Sequence, residues 1–369
     1  MNRLTASLYF ALPFLLAGCK ATAQDRTSTP LTIAATLPAT HSSTGNVVEL
    51  ADGKIVFADP RDRLFLRADF TTGKVDTLGQ SVPLGPDVKL TDASYKLPGW
   101  VVHLAGDTLA LVDFAAIHTS LWGEDGTYRG PMNLPEIGGR TPALVYDTLG
   151  HAYKADYSAL LGMTAPGGMN ARPDSIALLR LSIASGKVDT VGYLSAPEYG
   201  DALIGAQMQT VAKVFGPNDA FGVTGDGLLW IARARTHSVD WRSPDGTWSR
   251  GKAHDYPKVP VTEADRMLVL QRLQERGLPK DLEVRYPFAE TKPSFDVAVG
   301  TPTGEVWLQY SRANDSLPQR YAVFTKDAGF QREIVAPPMV SVTGFGRERV
   351  VYGAKRLADG RREVVKMKL

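Results

Sequence analysis

Cysteine is nearly absent: the 369-residue chain carries one, Cys19, at the end of an apolar N-terminal run. A lone thiol excludes an internal disulfide framework, so stability must come from the core alone. Charge of one sign is also lacking, with 41 basic residues against 39 acidic ones and a formal net charge of +2. No basic stretch is interleaved with aromatics, which argues against a nucleic-acid partner. The run from Leu4 to Leu16 is too short to span a bilayer comfortably and is interrupted by Pro13. His41, His103, His118, His151, His237 and His254 are scattered, with no H-x-x-x-H or H-E-x-x-H spacing, and read as surface or turn residues. There is no G-x-S-x-G elbow. No motif asks for a cofactor or marks a metal site.

What is present begins with an export signal. Residues 1–19, MNRLTASLYFALPFLLAGC, combine Arg3, an apolar run and small residues ahead of the cysteine. The tetrad Leu16-Ala17-Gly18-Cys19 resembles the lipobox of bacterial lipoproteins, in which the cysteine is lipidated and becomes the mature N-terminus. That resemblance implies lipid attachment at Cys19, with Lys20 following where an inner-membrane retention aspartate would stand, and hence outer-membrane anchoring. The alternative is ordinary cleavage after Ala21-Thr22-Ala23, giving a soluble periplasmic or secreted product. Both place the domain outside the cytoplasm. Residues 20–30, KATAQDRTSTP, read as a flexible tether.

Beyond the tether the chain repeats itself. The pentapeptide GKVDT occurs at 73–77 and again at 186–190, each time after an apolar strand, a Gly turn, a second strand ending in Ala-Asp and a third strand. The spacing Gly53 to Asp59 recurs as Gly150 to Asp156. Comparable units follow WVVHL, AFGV, FDVAV and MVSVTGF. Asp125-Gly126, Asp245-Gly246 and Asp359-Gly360 stand where Thr72-Gly73 and Ser185-Gly186 stand, because these turns need positive φ and a side chain that bonds the local backbone. Six four-stranded units predict an all-β, six-bladed β-propeller over residues 31–369, radial repetition being one way to avoid long exposed edges. The last unit is one strand short. The segment LTIAATL at 31–37 is the natural closing strand.

The segment ADGKIVFADPRDRLFLRADFTTGKVDTLG, and more weakly TGDGLLWIARA and TGEVWLQY, resemble bacterial six-bladed propellers related to NHL-repeat proteins, with their DG-x-apolar-apolar-x-x-D core and T-G turn. The likeness implies a fold, not an activity. Neither a WD40 pairing nor a double-glycine kelch pattern repeats. One segment breaks the β rhythm: VTEADRMLVLQRLQERGLP predicts a helical insert at about 262–277, with Thr262 and Asp265 as a capping box, Gly277 as the stop, and Ala264, Met267, Leu270 and Leu273 as an apolar stripe packed on the propeller.

In such a blade the loop between the second and third strands opens on the same face as the connections between blades. Asp59, Asp113 and Asp156 fall there, with Arg61, His118, Arg233, His237, Tyr310 and Arg312 in the corresponding loops, as a candidate polar rim for ligand. The competing reading is that such aspartates only cap turn backbone. The Gly- and Met-rich insert at 157–175 emerges from the same place. These features predict a non-enzymatic binding or protein-interaction module of the cell envelope, whose partner is an envelope protein or a small ligand. A structural spacer is a third possibility. The enzymatic alternative rests on analogy with calcium-dependent lactonases of the same fold, which hold the ion on the axis with Glu, Asn and Asp. Glu49 could imitate the first of these, but it lacks the E-G-P setting, and Asn218 and Asn314 lie in loops.

Overall fold

The computed structural model describes residues 28–85, 87–134, 145–158, 173–275, 277, 279 and 284–369. The signal segment with Cys19, the tether up to residue 27 and most of the 157–175 insert lie outside the described residues.

Among the described residues six antiparallel meanders follow one another. Blade 1 is Val47–Glu49, Ile55–Asp59, Leu64–Ala68 and Val75–Thr77, and blade 2 is Pro98–His103, Thr108–Asp113, His118–Gly123 and Tyr128–Pro131. Blade 3 is Val145–Tyr146, His151–Ala155, Ser175–Ser182 and Val188–Ser195, and blade 4 is Ala220–Val223, Leu229–Arg233, Ser238–Arg242 and Trp248–Ser249. Blade 5 is Val297–Gly300, Glu305–Gln309, Arg320–Thr325 and Gly329–Val335. Blade 6 has three strands from the C-terminal end, Val340–Phe345, Val350–Arg356 and Arg362–Lys368, and takes its outer strand from Thr32–His41.

Packing closes these sheets into a ring. The second strand of blade 1, Ile-Val-Phe-Ala-Asp, is buried at every position because a neighbouring blade covers each face. The buried side chains of the described residues form six clusters, each shared by two successive blades. Phe65, Leu111 and Trp122 join blades 1 and 2, while Trp307, Tyr321, Val351 and Met367 join blades 5 and 6. Leu37, Phe57, Tyr352 and Val364 complete the circuit between blades 6 and 1. Each cluster stands between two sheets, so no blade buries its faces alone.

The repeated pentapeptide is the turn and outer strand of a blade. Gly73 (φ +71°) and Gly186 (φ +68°) sit in the left-handed region, and their N–H groups donate to Asp69 O and Ser182 O. Asp125, Asp245 and Asp359 each accept the N–H two residues on at 2.9 Å, which is the Asx turn the sequence predicts. In both copies the aspartate faces an arginine of the third strand, Arg67 opposite Asp76 and Arg180 opposite Asp189. Only the second pair closes, at 2.8 Å, because Arg67 turns to Asp52 instead.

The closing strand runs further than 31–37, pairing from Thr32 with Lys368 to His41 with Arg362. The tether ends earlier than residue 30: Ser28–Pro30 pair in parallel with Glu333–Val335 of blade 5. Leu31, buried between blades 5 and 6, pulls this segment onto the sheet edge. The chain therefore stitches both blades.

The helix forms over Glu263–Glu275, with Thr262 Oγ1 accepting the Asp265 N–H at 3.2 Å and Asp265 Oδ2 accepting the Thr262 N–H at 2.9 Å, the reciprocal capping box. Its apolar stripe does not pack as expected. No helix residue is buried, and Met267 is 60% exposed. Polar anchors hold it instead, with Asp265 and Lys292 2.7 Å apart and the Arg266 guanidinium over the Phe288 ring. Unanticipated was a satellite sheet in which Tyr199–Ile204 and Gln207–Ala212 form a hairpin and Val284–Arg285 adds a third strand.

Candidate functional site

In a four-stranded meander the turn between the second and third strands and the exit from the fourth strand share one end. The connections 78–97 and 250–296 therefore lie on the same face as the hairpin turns 60–63, 114–117 and 234–237, here called the hairpin face.

The predicted rim residues divide on this face by what they bind. Asp59 is fully buried; its carboxylate accepts Ser42 N–H (3.0 Å), Ser43 N–H (3.1 Å), Arg61 N–H (3.1 Å) and Asp62 N–H (3.1 Å), and also the Ser43 hydroxyl. Asp113 is equally engaged, accepting the N–H groups of Lys96 (2.5 Å), Leu97 (3.1 Å), Ala115 (3.0 Å) and Ala116 (2.9 Å). Both carboxylates pin a hairpin turn to an incoming connection, so the capping reading fits them and a rim contact does not. Asp156 caps Ser158 N–H at 3.0 Å, and that hydrogen bonding holds its carboxyl below the usual carboxylate range.

The cations are largely spent on scaffolding too. Arg233 bridges Asp219 and Asp240, each at 2.8 Å, and donates to the Tyr193 carbonyl. Burial pushes the Asp240 carboxyl up, but hydrogen bonds from Arg233 and Arg250 outweigh it and hold the group low. Arg312 folds its own loop, donating to Leu317 O at 2.7 Å and Asp315 Oδ1 at 3.1 Å. Arg61 is exposed.

His237 and Tyr310 are brought together, but inside the protein. Their rings stack with centroids 5.1 Å apart and an interplanar angle of 14°, and Tyr256, Phe295 and Phe324 surround them. His237 is fully buried and Tyr310 nearly so, because the long connection from blade 4 to blade 5 supplies Tyr256 and Phe295 as a cover. Neither stands on a rim. His41 is likewise buried, edge-on to Phe57.

His118 lines an open cavity, a crevice of about 700 Å³ between blade 2 and the connection that leads into it. Leu84, Gly85, Lys89, Leu90 and Lys96 come from the connection, and Ala115, Ala116 and His118 from the hairpin. Asp113 holds the two walls together through the four N–H groups named above. The Lys96 ammonium donates to Gly85 O at 2.7 Å. Burial lowers the His118 imidazole pKa, against the raising field of Asp113, so the ring is neutral near pH 7. In the same hairpin Phe114 and Ile117 are exposed, and Ile117 has φ +51°, a left-handed conformation that costs a β-branched residue of order 1–3 kcal/mol. The equivalent hairpin positions, Arg63 and His237, are left-handed as well.

The residues weighed for an axial metal are otherwise occupied. Glu49 accepts the Arg347 N–H (3.0 Å) and the Tyr352 hydroxyl (3.2 Å), joining blade 6 to blade 1 near the face opposite the hairpins. Burial and that carboxylate push the Tyr352 hydroxyl pKa up. Asn218 and Asn314 bond within their own loops. Among the described residues no three His, Cys, Asp or Glu side chains are grouped to hold a metal ion. No described helix is long and apolar enough to cross a membrane.

The sheets and the ring of shared cores define a β-propeller protein. No family model matches the sequence, and no curated protein matches it. Solved structures do. The chain is similar to a Bacteroides fragilis protein over 92% of its length and 94% of that chain, with a TM-score of 0.52 and 9% identity. It is similar to a DUF4221-family member from Bacteroides vulgatus over 92% and 97% of the two chains, with a TM-score of 0.50 and 10% identity. A gluconolactonase from Xanthomonas campestris aligns over 93% and 96%, with a TM-score of 0.44 and 12% identity. At these identities the likeness is one of fold.

Proposed function

We propose that this propeller is a binding module of the bacterial cell envelope, exported and lipid-anchored through Cys19, and that it holds its ligand on the hairpin face. The observation that carries this reading is the crevice between Leu84 and His118: an open cavity on the face where the fold gathers its loops, lined by cationic and apolar side chains. Glu49, the carboxylate weighed for an axial ion, supports it from the other side, since it is engaged by Arg347 and Tyr352. The partner is a small ligand or an envelope protein presenting a group that fits this crevice.

The test is thermal unfolding of the lipidated full chain with calcium and then with a chelator, alongside lactone and ester turnover. A ligand of the native state adds about 2.7 kcal/mol at a hundredfold excess over its dissociation constant, so a bound metal would be evident. The binding-module reading expects no calcium-dependent rise and no turnover. Calcium-dependent hydrolysis would overturn it. Cys19→Ser should move the protein from the membrane fraction to the soluble one if the anchor is as proposed.

A further inference from the structure

We infer that the blade 2 crevice takes an organic anion, a carboxylate or phosphate head on a short apolar body. The inference rests on the binding-module reading and specifies the ligand class. Lys89, Lys96 and His118 line the crevice, and no carboxylate is among its lining residues. Asp113 is 2% exposed and turns its carboxylate inward onto four N–H groups, so its field reaches His118 but it presents no oxygen to the cavity, and Asp87 and Asp92 of the same connection are exposed and are not among the lining residues. Lys96 spends one donor on a neutral carbonyl at 2.7 Å, and an ammonium has three. Neither lysine has an ion-pair partner among the described residues. Lys89 is exposed at the crevice and Lys96 half-buried in it, and ammonium groups without an ion pair suit an anionic head.

The remaining lining suits the body of the ligand. Leu84 and Leu90 form one apolar wall, and Ala115 and Ala116 the other. Leu84 is 58% exposed, an apolar side chain left open at the crevice. A cavity of about 700 Å³ has the size of a small-molecule site.

The experiment is calorimetric titration of the full chain with octanoate and octyl phosphate, using octanamide and octylamine as matched neutral and cationic controls. Octanoate or octyl phosphate should bind, the better of the two naming the head group. Octanamide should bind at least about tenfold more weakly, the cost of losing charge-assisted hydrogen bonds. Lys96→Met and Lys89→Met should each weaken the anion by a comparable factor, and Ala116→Trp, which fills the cavity, should abolish binding. Lys187→Met, in an exposed turn away from the crevice, should change nothing, and unchanged melting temperatures establish that the variants fold. Equal binding of octanamide overturns the inference, as does anion binding that survives Lys96→Met and Ala116→Trp. If neutral compounds bind in a manner sensitive to Ala116→Trp while all anions fail, the ligand class is wrong and the binding module stands. Calcium-dependent lactone turnover would instead overturn the reading beneath it.

Discussion

Two aspartates with the same place in the repeat have different duties, and burial decides which. Asp59 gathers four backbone N–H groups out of contact with water, whereas Asp156 caps one among the described residues and is half-buried. Removing a buried acceptor leaves its donors unpaired, at about 1–3 kcal/mol for each group so stranded. Asp59→Ala should therefore lower unfolding stability by at least about 2 kcal/mol, and Asp156→Ala should stay within about 0.5 kcal/mol of wild type. Urea denaturation of the two variants measures this; equal effects would contradict it. The sequence shows both residues as strand-end aspartates and cannot separate them, because the difference is made by Ser42 and Ser43, which the closing strand delivers from outside the blade. The same limit hid His237. It stands where Arg63 and Ile117 stand in other blades, and only the cover of Tyr256 and Phe295 takes it inside.

Among the elements, the closing strand was legible and the walls of the crevice were not. Leu31 to Leu37 carried an apolar pattern with no partner nearby in sequence, and blade 6 lacked a strand; the two deficits matched. The connection before blade 2 offered no periodicity to read, although its length exceeded that of a turn, which was the available signal. The Tyr199–Ala212 hairpin was missed because Gln207–Ala212 is almost wholly exposed and carries no apolar alternation.

The closing strand also carries a pH dependence. His41 at its end is buried against Phe57, and its Nε2 has no partner among the described residues. Burial lowers its pKa; Asp59 and Asp62 raise it and Arg361 lowers it, and the net is below the ordinary imidazole value. The unfolded chain therefore takes up the proton first, and stability is lost as pH falls through the imidazole range. Between pH 7 and pH 5 the melting temperature should fall more in wild type than in His41→Phe, which keeps the ring and removes the titration. An equal fall in both would contradict the assignment.

At the scale of the molecule, the propeller follows from the sequence because each blade states its own pattern: a buried second strand, an Asp-Gly or Thr-Gly turn, and an apolar surface that only a neighbour can cover. The helix boundaries followed for the same local reason, its capping box being written in consecutive residues. The candidate site did not, since it is built where a connection meets the next blade's hairpin, a juxtaposition that exists only once the ring is closed. Asp113 and His118 were both marked from the sequence, yet for a shared rim rather than as the pin and the wall of one crevice.

The central claim is that this crevice, and not the axis of the ring, is where the protein meets its ligand. Hydrogen–deuterium exchange of the full chain, with and without saturating octanoate, tests it most directly. The account predicts slowed exchange in residues 84–97 and 113–118, with the inner strands around Glu49 and Val297 unchanged. Protection centred on those inner strands, or none in the crevice walls, would contradict it.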